Sequence, residues 1–261
     1  MRFVGKLFGV CVLFLTLVGS AQAKTDAVER IKKEGKLLVA IDATYPPMEF
    51  EDDKGKPDGF DVEFAKSIAK ELGVNAEFIV MGWDGILAGL NSKRYDVIIS
   101  SMNITPERKQ QVDFVEYAKM SQLFVSKKGI SVATVKDLAG KTVAVQADTT
   151  SFEFVEKQKK AGIAIKDIKA FRLATDVFAA VTAGQAETIV IDEPVGRYYA
   201  AKDPNSFVIT GRAMDPEPIG IAIRKDDKAL TQKLDQIIGK MKKDGSLTKL
   251  SQKWFGGNLG S

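Results

Sequence analysis

Short runs of β-branched and other apolar residues alternate along the chain with segments in which apolar residues recur every three or four positions. The first pattern predicts buried strands and the second predicts amphipathic helices. Strands are expected at residues 37–41, 76–80, 97–99, 123–126, 142–145, 188–191, 207–209 and 220–223. Helices are expected at residues 60–72, 152–161, 177–183, 194–201 and 228–243. This alternation indicates an α/β fold with mostly parallel sheets.

Polar and aromatic side chains repeatedly follow the carboxyl ends of these predicted strands. They are Asp42 and Tyr45, Trp83, Ser100 and Ser101, Thr149 and Thr150, and Asp192. In open α/β sheets, ligands bind at the edge formed by the carboxyl ends of the strands. The pattern therefore predicts a binding cleft at that edge.

The first residues have the pattern of a secretory signal peptide. Arg2 and Lys6 precede an apolar run at residues 7–18, and Ala21-Gln22-Ala23 forms a small-residue cleavage site. We expect removal of residues 1–23 and export of the remainder. The single cysteine, Cys11, lies inside the apolar run, so the mature chain is expected to contain neither disulfides nor thiol chemistry.

Composition narrows the function classes further. Removing Arg2 and Lys6 from 38 basic residues leaves 36 against 34 acidic residues, and this near balance argues against a nucleic-acid partner. Histidine is absent, which excludes Ser-His-Asp and Cys-His catalysis and the usual zinc sites. We expect no metal and no cofactor. Residues 24–261 are enough for two modest lobes, each with its own core.

The stretch DVIISSMNITPERKQQVDF, residues 96–114, suits the capture of a small anion. Ser100, Ser101 and Asn103 can form hydrogen bonds, and Arg108 offers a planar two-pronged donor that fits a carboxylate. A free carboxylic acid, such as an amino acid, is the simplest ligand of an exported protein with this feature.

The segment GFDVEF, residues 59–64, followed by Ile68, Ala69 and Leu72, resembles the signature of the bacterial extracellular solute-binding proteins that serve polar amino-acid ABC transporters. Similar agreement runs through five further segments, which are VAIDATYPPMEF, MGWDGILAGLNSKRYDVIISSMNITPERKQQVDF, DTTS, VIDEP and KMKKDGSLTKLSQKWFG. The resemblance implies a type II periplasmic-binding-protein fold, with two Rossmann-like lobes joined by two hinge crossings. Lobe one would comprise residues 24–118 and 213–261, and lobe two residues 119–212.

The resemblance also assigns roles in an amino-acid site. Arg108 would bind the α-carboxylate and Asp192 the α-ammonium. Ser100, Ser101 and Asn103 would add hydrogen bonds to these groups from lobe one, with Thr149 and Thr150 doing so from lobe two, while Tyr45 and Trp83 would sandwich the ligand side chain. The simpler alternatives are a solvated arginine, a helix N-cap for Asp192, turn and capping chemistry for the hydroxyl residues, and core packing for the aromatic rings.

Selectivity is expected to depend on Asp42, Gln146 and Asp148. Asp42 matches a position that in relatives contacts the distal end of the ligand side chain, and Gln146 matches another position of that pocket. Asp148 stands where many relatives have glycine, and it would favour a basic ligand only if it faces the cleft. A basic amino acid (lysine, arginine, ornithine or histidine) is therefore preferred over a neutral polar one such as glutamine, and an acidic one is disfavoured.

The resemblance implies a periplasmic, monomeric receptor that delivers its amino acid to a membrane-embedded ABC permease by lobe closure, with no catalytic residues. It extends to cyclohexadienyl dehydratases, so an enzyme on the same scaffold is the competing hypothesis. That chemistry needs a general acid in the cleft, for which Glu49, Asp148 and Glu193 are the additional carboxyl candidates.

Overall fold

The computed structural model describes residues 26–257 and residue 259, so the predicted signal peptide lies outside the described residues. The helices are α1 Ala27–Glu34, α2 Phe60–Leu72, α3 Ile86–Asn91, α4 Pro106–Gln111, α5 Thr150–Lys160, α6 Ala174–Thr182, α7 Glu193–Lys202, α8 Lys228–Lys243 and α9 Ser246–Phe255. Short 3₁₀ turns occur at Trp83–Gly85 and Val135–Leu138. No helix in residues 26–257 is long and apolar enough to cross a membrane.

The strands are β1 Lys36–Ile41, β2 Thr44–Tyr45, β3 Glu49–Glu51, β4 Pro57–Asp58, β5 Asn75–Val80, β6 Val97–Ile98, β7 Val112–Lys127, β8 Thr142–Gln146, β9 Asp167–Phe171, β10 Thr188–Asp192 and β11 Phe207–Arg224. Strands β2, β3 and β4 form a small antiparallel sheet. The other strands form one sheet in the order β5-β1-β6-β11-β7-β10-β8-β9.

Two long antiparallel strands, β7 and β11, divide the large sheet into two lobes. Lobe one contains β5, β1 and β6, which are parallel, and lobe two contains β10, β8 and β9, which are also parallel. The expectation of mostly parallel sheets is therefore wrong at the centre, where β11 pairs antiparallel with β6 and β7, and β7 with β10. The three short strands predicted at residues 123–126, 207–209 and 220–223 are parts of these two strands.

The periodic segments form the helices that cover the sheet. Phe60, Phe64, Ile68 and Leu72 are buried on one face of α2, as the sequence pattern predicts. Helix α2 begins directly after Gly59, whose φ is 123°, and a Cβ there would lie 2.3 Å from the carbonyl oxygen of Met48. Only glycine allows this close approach, which fixes the start of α2 against the turn that leads into β3.

Candidate functional site

A cleft cavity lies between the carboxyl ends of the strands of the two lobes and has a volume of about 340 Å³ including its open mouth. Every residue that the sequence predicts for the site lines it, except Arg108 and the selectivity candidate Asp148. The lining residues are Asp42, Tyr45, Glu49, Trp83, Ser100, Ser101, Asn103, Gln146, Thr149, Thr150, Ser151 and Asp192. Residues from five separate segments thus meet because the parallel strands of each lobe end at this edge.

Arg108 is held beside this cavity by the first turn of α4. Thr105 caps the helix by accepting from the Arg108 backbone N–H, and Pro106 provides a preset first residue. The guanidinium donates to the carbonyl oxygens of Asn103 at 3.0 Å and Asp148 at 3.1 Å, and it lies 5.3 Å from the centre of the Trp83 ring.

Burial lowers the pKa of Arg108 from its usual value, while Glu153 and Asp192 act in the opposite direction. No carboxylate in the described part of the chain forms a salt bridge with this guanidinium. A buried cation whose partners are neutral carbonyl groups favours an anionic partner, because an unpaired buried charge is costly.

Asp192 ends β10 on the lobe-two side. It occupies the N-cap position of α7, yet its side chain makes no capping hydrogen bond, so the N-cap alternative is not what the carboxylate serves. Its Oδ2 accepts a hydrogen bond of 2.8 Å from the Tyr45 hydroxyl. Its Oδ1 is buried without a hydrogen-bond partner. Burial raises the pKa of Asp192 to about 6, and the Tyr45 hydrogen bond opposes that rise.

Asp42 and Gln146 meet across the cleft, and both line the cavity. The Gln146 amide donates to Asp42 Oδ2 at 2.7 Å, and the Thr44 hydroxyl donates to Asp42 Oδ1 at 2.9 Å. Burial raises the pKa of Asp42, and these two hydrogen bonds act against the rise. The pair therefore places one carboxylate and one amide in the cavity wall.

Ser100 and Ser101 follow β6, but their hydroxyls turn towards two buried carboxyl groups. Ser100 Oγ donates to Glu49 Oε1 at 2.8 Å, and Ser101 Oγ donates to Asp61 Oδ2 at 3.0 Å. Ser101 has a φ of 50°, in the left-handed region. From the sequence, Glu49 is only a candidate acid of the competing enzyme hypothesis, and Asp61 is only part of the family signature. The hydrogen bonds from the two serines to these carboxyl groups are not predicted by the sequence.

The two threonines differ in their availability. Thr149 caps α5 by accepting from the Phe152 N–H, and its hydroxyl donates to the Gln146 carbonyl at 2.7 Å, which agrees with the capping alternative. Thr150 accepts from the Gln122 amide at 2.8 Å, which leaves its own hydroxyl proton free to donate.

Two further residues resolve expectations left open by the sequence. The Asn103 side-chain amide donates to Glu217 Oε2 at 3.3 Å, while the backbone carbonyl of Asn103 accepts from Arg108. Asp148 is exposed, with a φ of 59°, and it is not among the residues that line the cavity. Its carbonyl oxygen instead accepts from Trp83 Nε1 at 2.9 Å, in addition to Arg108. Because Asp148 lies in lobe two, these bonds join the two lobes.

Comparisons with known proteins identify the family. The family model for bacterial extracellular solute-binding proteins, family 3, matches residues 37–257. The L-cystine-binding protein TcyJ of Escherichia coli is 35% identical over 255 residues, which cover 95% of this chain and 94% of that protein. The arginine-binding extracellular protein ArtP of Bacillus subtilis is 32% identical over 256 residues, covering 96% of both.

Solved structures show the same architecture. An ancestral arginine-binding protein bound to arginine is 41% identical, with a TM-score of 0.81 over 85% of this chain and 98% of that one. The ancestral amino acid-binding protein AncCDT-1, a precursor of cyclohexadienyl dehydratase, is 39% identical, with a TM-score of 0.80 over 87% of this chain and 99% of that one. The predicted type II fold is confirmed, and the chain belongs to the bacterial extracellular solute-binding proteins, family 3.

Proposed function

We propose that this protein is a periplasmic receptor that captures a free basic L-amino acid and delivers it to a membrane-embedded ABC permease when its lobes close. The observation that carries the proposal is the pair of unmatched polar groups at one cavity. Arg108 is a buried cation without an ion pair, and Asp192 has a buried carboxylate oxygen without a partner. An α-amino acid supplies one carboxylate and one ammonium, which match these two groups.

The preference for a basic side chain rests on Asp42. Its carboxylate lines the cavity with Gln146, and no Lys or Arg is among the described lining residues. A guanidinium or ammonium there would gain a charge-assisted hydrogen bond, whereas a carboxylate side chain would face Asp42 without a cation. Relatives named for binding arginine and histidine support this class.

Two other amino acids are the main competitors for this assignment. Glutamine could donate its amide to Asp42, and an ancestral arginine-binding protein at 42% identity has been solved with glutamine bound. Cystine is suggested by TcyJ, but its second carboxylate would lie in a cavity whose described lining offers no second cation. We therefore favour a basic amino acid (arginine, lysine, ornithine or histidine) over both.

A dehydratase has less support from the three carboxyl candidates. Asp148 is exposed, and Glu193 forms an ion pair with Arg197 at 2.6 Å. Glu49 lines the cavity but is hydrogen-bonded to Ser100. Asp192 also gives the cleft an ammonium partner that a prephenate-type substrate does not need.

We further propose that the lobes meet in the middle of β7 and β11. The register between these strands shifts at several points between Ile209 and Gly220, opposite residues 116–125 of β7. Interrupted pairing lowers the resistance of a ribbon to bending, which suits a hinge. The boundaries near residues 118 and 213 fall in or beside this region, and we expect the receptor to act as a monomer.

Thermal-shift screening of ligand-stripped protein tests the function. The panel is the common amino acids with ornithine, cystine and prephenate. Stabilisation by arginine, lysine or ornithine above all others is expected. Stabilisation by no amino acid would overturn the receptor assignment, turnover of prephenate would establish the enzyme, and preference for cystine or glutamine would replace the ligand class.

A further inference from the structure

Two carboxyl groups, Glu49 and Asp61, lie in contact beneath the cleft. Glu49 is 1% exposed and Asp61 is fully buried. Their side chains are neighbours, because the Ser101 hydroxyl lies 3.4 Å from Glu49 Oε2 and 3.0 Å from Asp61 Oδ2. Two ionised carboxylates in such a place would repel each other strongly, so a shared proton is the usual solution.

The hydrogen bonds identify the group that accepts and therefore carries the charge. Asp61 accepts from the Ser101 N–H at 2.6 Å, from the Ser101 hydroxyl at 3.0 Å and from the Tyr117 hydroxyl at 2.9 Å. Three donors converging on one carboxyl group are the environment of a carboxylate. Asp61 is thus the ionised member of the pair.

Glu49 has fewer donors. The Ser100 hydroxyl accepts from the Asp42 N–H and gives its one proton to Glu49 Oε1. The single proton of the Ser101 hydroxyl points to Asp61 at 3.0 Å rather than to Glu49 Oε2 at 3.4 Å. Glu49 Oε2 is therefore left beside Ser101 Oγ, whose proton is already used, and it forms a hydrogen bond there only if it carries a proton itself.

The charges around Glu49 also favour its protonated form. The titratable groups that face it are Asp61 on α2, Asp42 at the end of β1, Tyr45 on β2 and Tyr117 on β7, none of which is a cation. Burial, followed by repulsion from Asp61, raises the pKa of Glu49 well above its usual value. Burial raises the pKa of Asp61 to about 6.

We infer that Glu49 is protonated at neutral pH, donates to Asp61, and with it fixes the Ser100 and Ser101 hydroxyls so that they can only accept hydrogen bonds from a ligand. This inference rests on the proposed function, in that the ligand is an amino acid bound in the cleft. Both hydroxyl protons are used inward, so only oxygen lone pairs face the cavity. Ammonium and guanidinium groups are then favoured, and the expected help of Ser101 to the α-carboxylate is not available.

Glu49→Gln and Glu49→Ala test this role, with Glu51→Gln as the matched control because Glu51 lies on the same strand and is exposed. The amide of Gln can donate to Asp61 as the protonated Glu does. We expect Glu49→Ala to weaken ligand binding by at least about tenfold, Glu49→Gln to recover most of that loss, and Glu51→Gln to match the wild type. Equal weakening by Gln and Ala at position 49 would overturn the inference.

A second measurement needs no ligand, so its failure is distinct from failure of the proposed function. Between the usual glutamate pKa and the raised value, the folded protein holds a proton that the unfolded chain has lost, so stability falls as pH rises. Glu49→Gln should lack the Glu49 part of this decline and also lose the infrared carbonyl band of a protonated carboxylic acid at neutral pH. A stability profile and a carbonyl region that both coincide with those of the wild type would show that Glu49 is ionised.

Discussion

The Tyr45 hydroxyl of lobe one donates a hydrogen bond of 2.8 Å to Asp192 Oδ2 of lobe two. The other carboxylate oxygen of Asp192 is buried without a partner. Tyr45 thus engages one oxygen of the carboxylate, and the second oxygen is left for another donor. We expect the ligand ammonium to bind to that second oxygen.

Two other hydrogen bonds also cross the cleft. The Gln146 amide donates to Asp42, and the Asp148 carbonyl accepts from Arg108. In each pair the partner has the hydrogen-bonding character of one part of a basic amino acid: a side-chain donor at Asp42 and a carboxylate-like acceptor at Arg108. We propose that a bound basic amino acid takes the place of these partners, with its side-chain donor at Asp42 and its α-carboxylate at Arg108.

Arg108→Ala should abolish amino-acid binding while leaving the fold intact, because the ligand carboxylate would be buried without a cation. Arg108→Lys keeps the charge but loses the two-pronged geometry, and we expect a loss of about 1.5–3 kcal/mol, or roughly ten- to a hundredfold in affinity. Titration calorimetry measures both. Lys109→Ala, an exposed neighbour on α4, is the control and should bind normally. Micromolar binding by Arg108→Ala would mean that the carboxylate site lies elsewhere.

Asp42→Asn should discriminate between ligands. Asparagine keeps the shape and can still interact with Gln146, but it removes the negative charge opposite the ligand side chain. Arginine binding should weaken by about tenfold or more, whereas binding of citrulline, which is neutral and similar in shape, should change far less. Competition binding of the two ligands to wild type and variant measures the difference. Equal losses for both would remove the argument that Asp42 sets selectivity.

Affinity should depend on pH through Asp192, whose pKa burial raises to about 6. A ligand ammonium beside its carboxylate favours the ionised form and lowers that pKa. Below about pH 6, binding must therefore expel a proton, and affinity should fall by up to about tenfold per pH unit; above it, affinity should be level. Calorimetry in buffers with different ionisation heats measures the released proton. Affinity that rises on acidification would contradict this role.

Tyr45→Phe shows whether Asp192 or Asp61 causes the fall in affinity at low pH, because burial raises the pKa of Asp61 to about 6 as well. The Tyr45 hydrogen bond lowers the pKa of Asp192, so its removal should raise that pKa further and move the acid decline in affinity to higher pH. Asp61 receives no hydrogen bond from Tyr45 among the described contacts. An unchanged midpoint in Tyr45→Phe would assign the decline to another group.

The ion pair at the cleft rim should matter little. Arg172 Nε lies 3.2 Å from Asp84 Oδ2, with side chains 69% and 47% exposed. Exposed pairs contribute about 0–1 kcal/mol, so Arg172→Ala should change affinity by less than about fivefold. A surface-binding assay at low and high salt checks this. A loss of a hundredfold would show that rim closure, rather than the buried groups, controls affinity.

The sequence predicts which residues reach the cleft but not how their hydroxyls point. Strand ends are readable from local patterns, and in parallel strands they converge on one edge, which explains why Asp42, Ser100 and Asp192 were found. The direction of Ser101 is set by Asp61, 40 positions away in the chain. Such long-range hydrogen bonding leaves no periodic signal. The carboxyl pair of Glu49 and Asp61 was missed for the same reason.

Two features of the fold were also beyond local patterns. Strand β9 is an edge strand whose residues are exposed or only partly buried, and it lacks the apolar run that marks the interior strands. The strands β7 and β11 each extend through polar positions because they stabilise one another by pairing, whereas apolar runs indicated only parts of them. Pairing between β7 and β11 therefore makes both strands longer than the segments that β-strand propensity indicates.

Calorimetric titration of L-arginine into ligand-stripped protein at neutral pH is the most direct test of the account. We expect saturable one-to-one binding at micromolar affinity or tighter, absent in Arg108→Ala and weakened selectively in Asp42→Asn. An absence of binding for arginine, lysine and ornithine, together with tight binding of glutamate or another acidic ligand, would contradict the account.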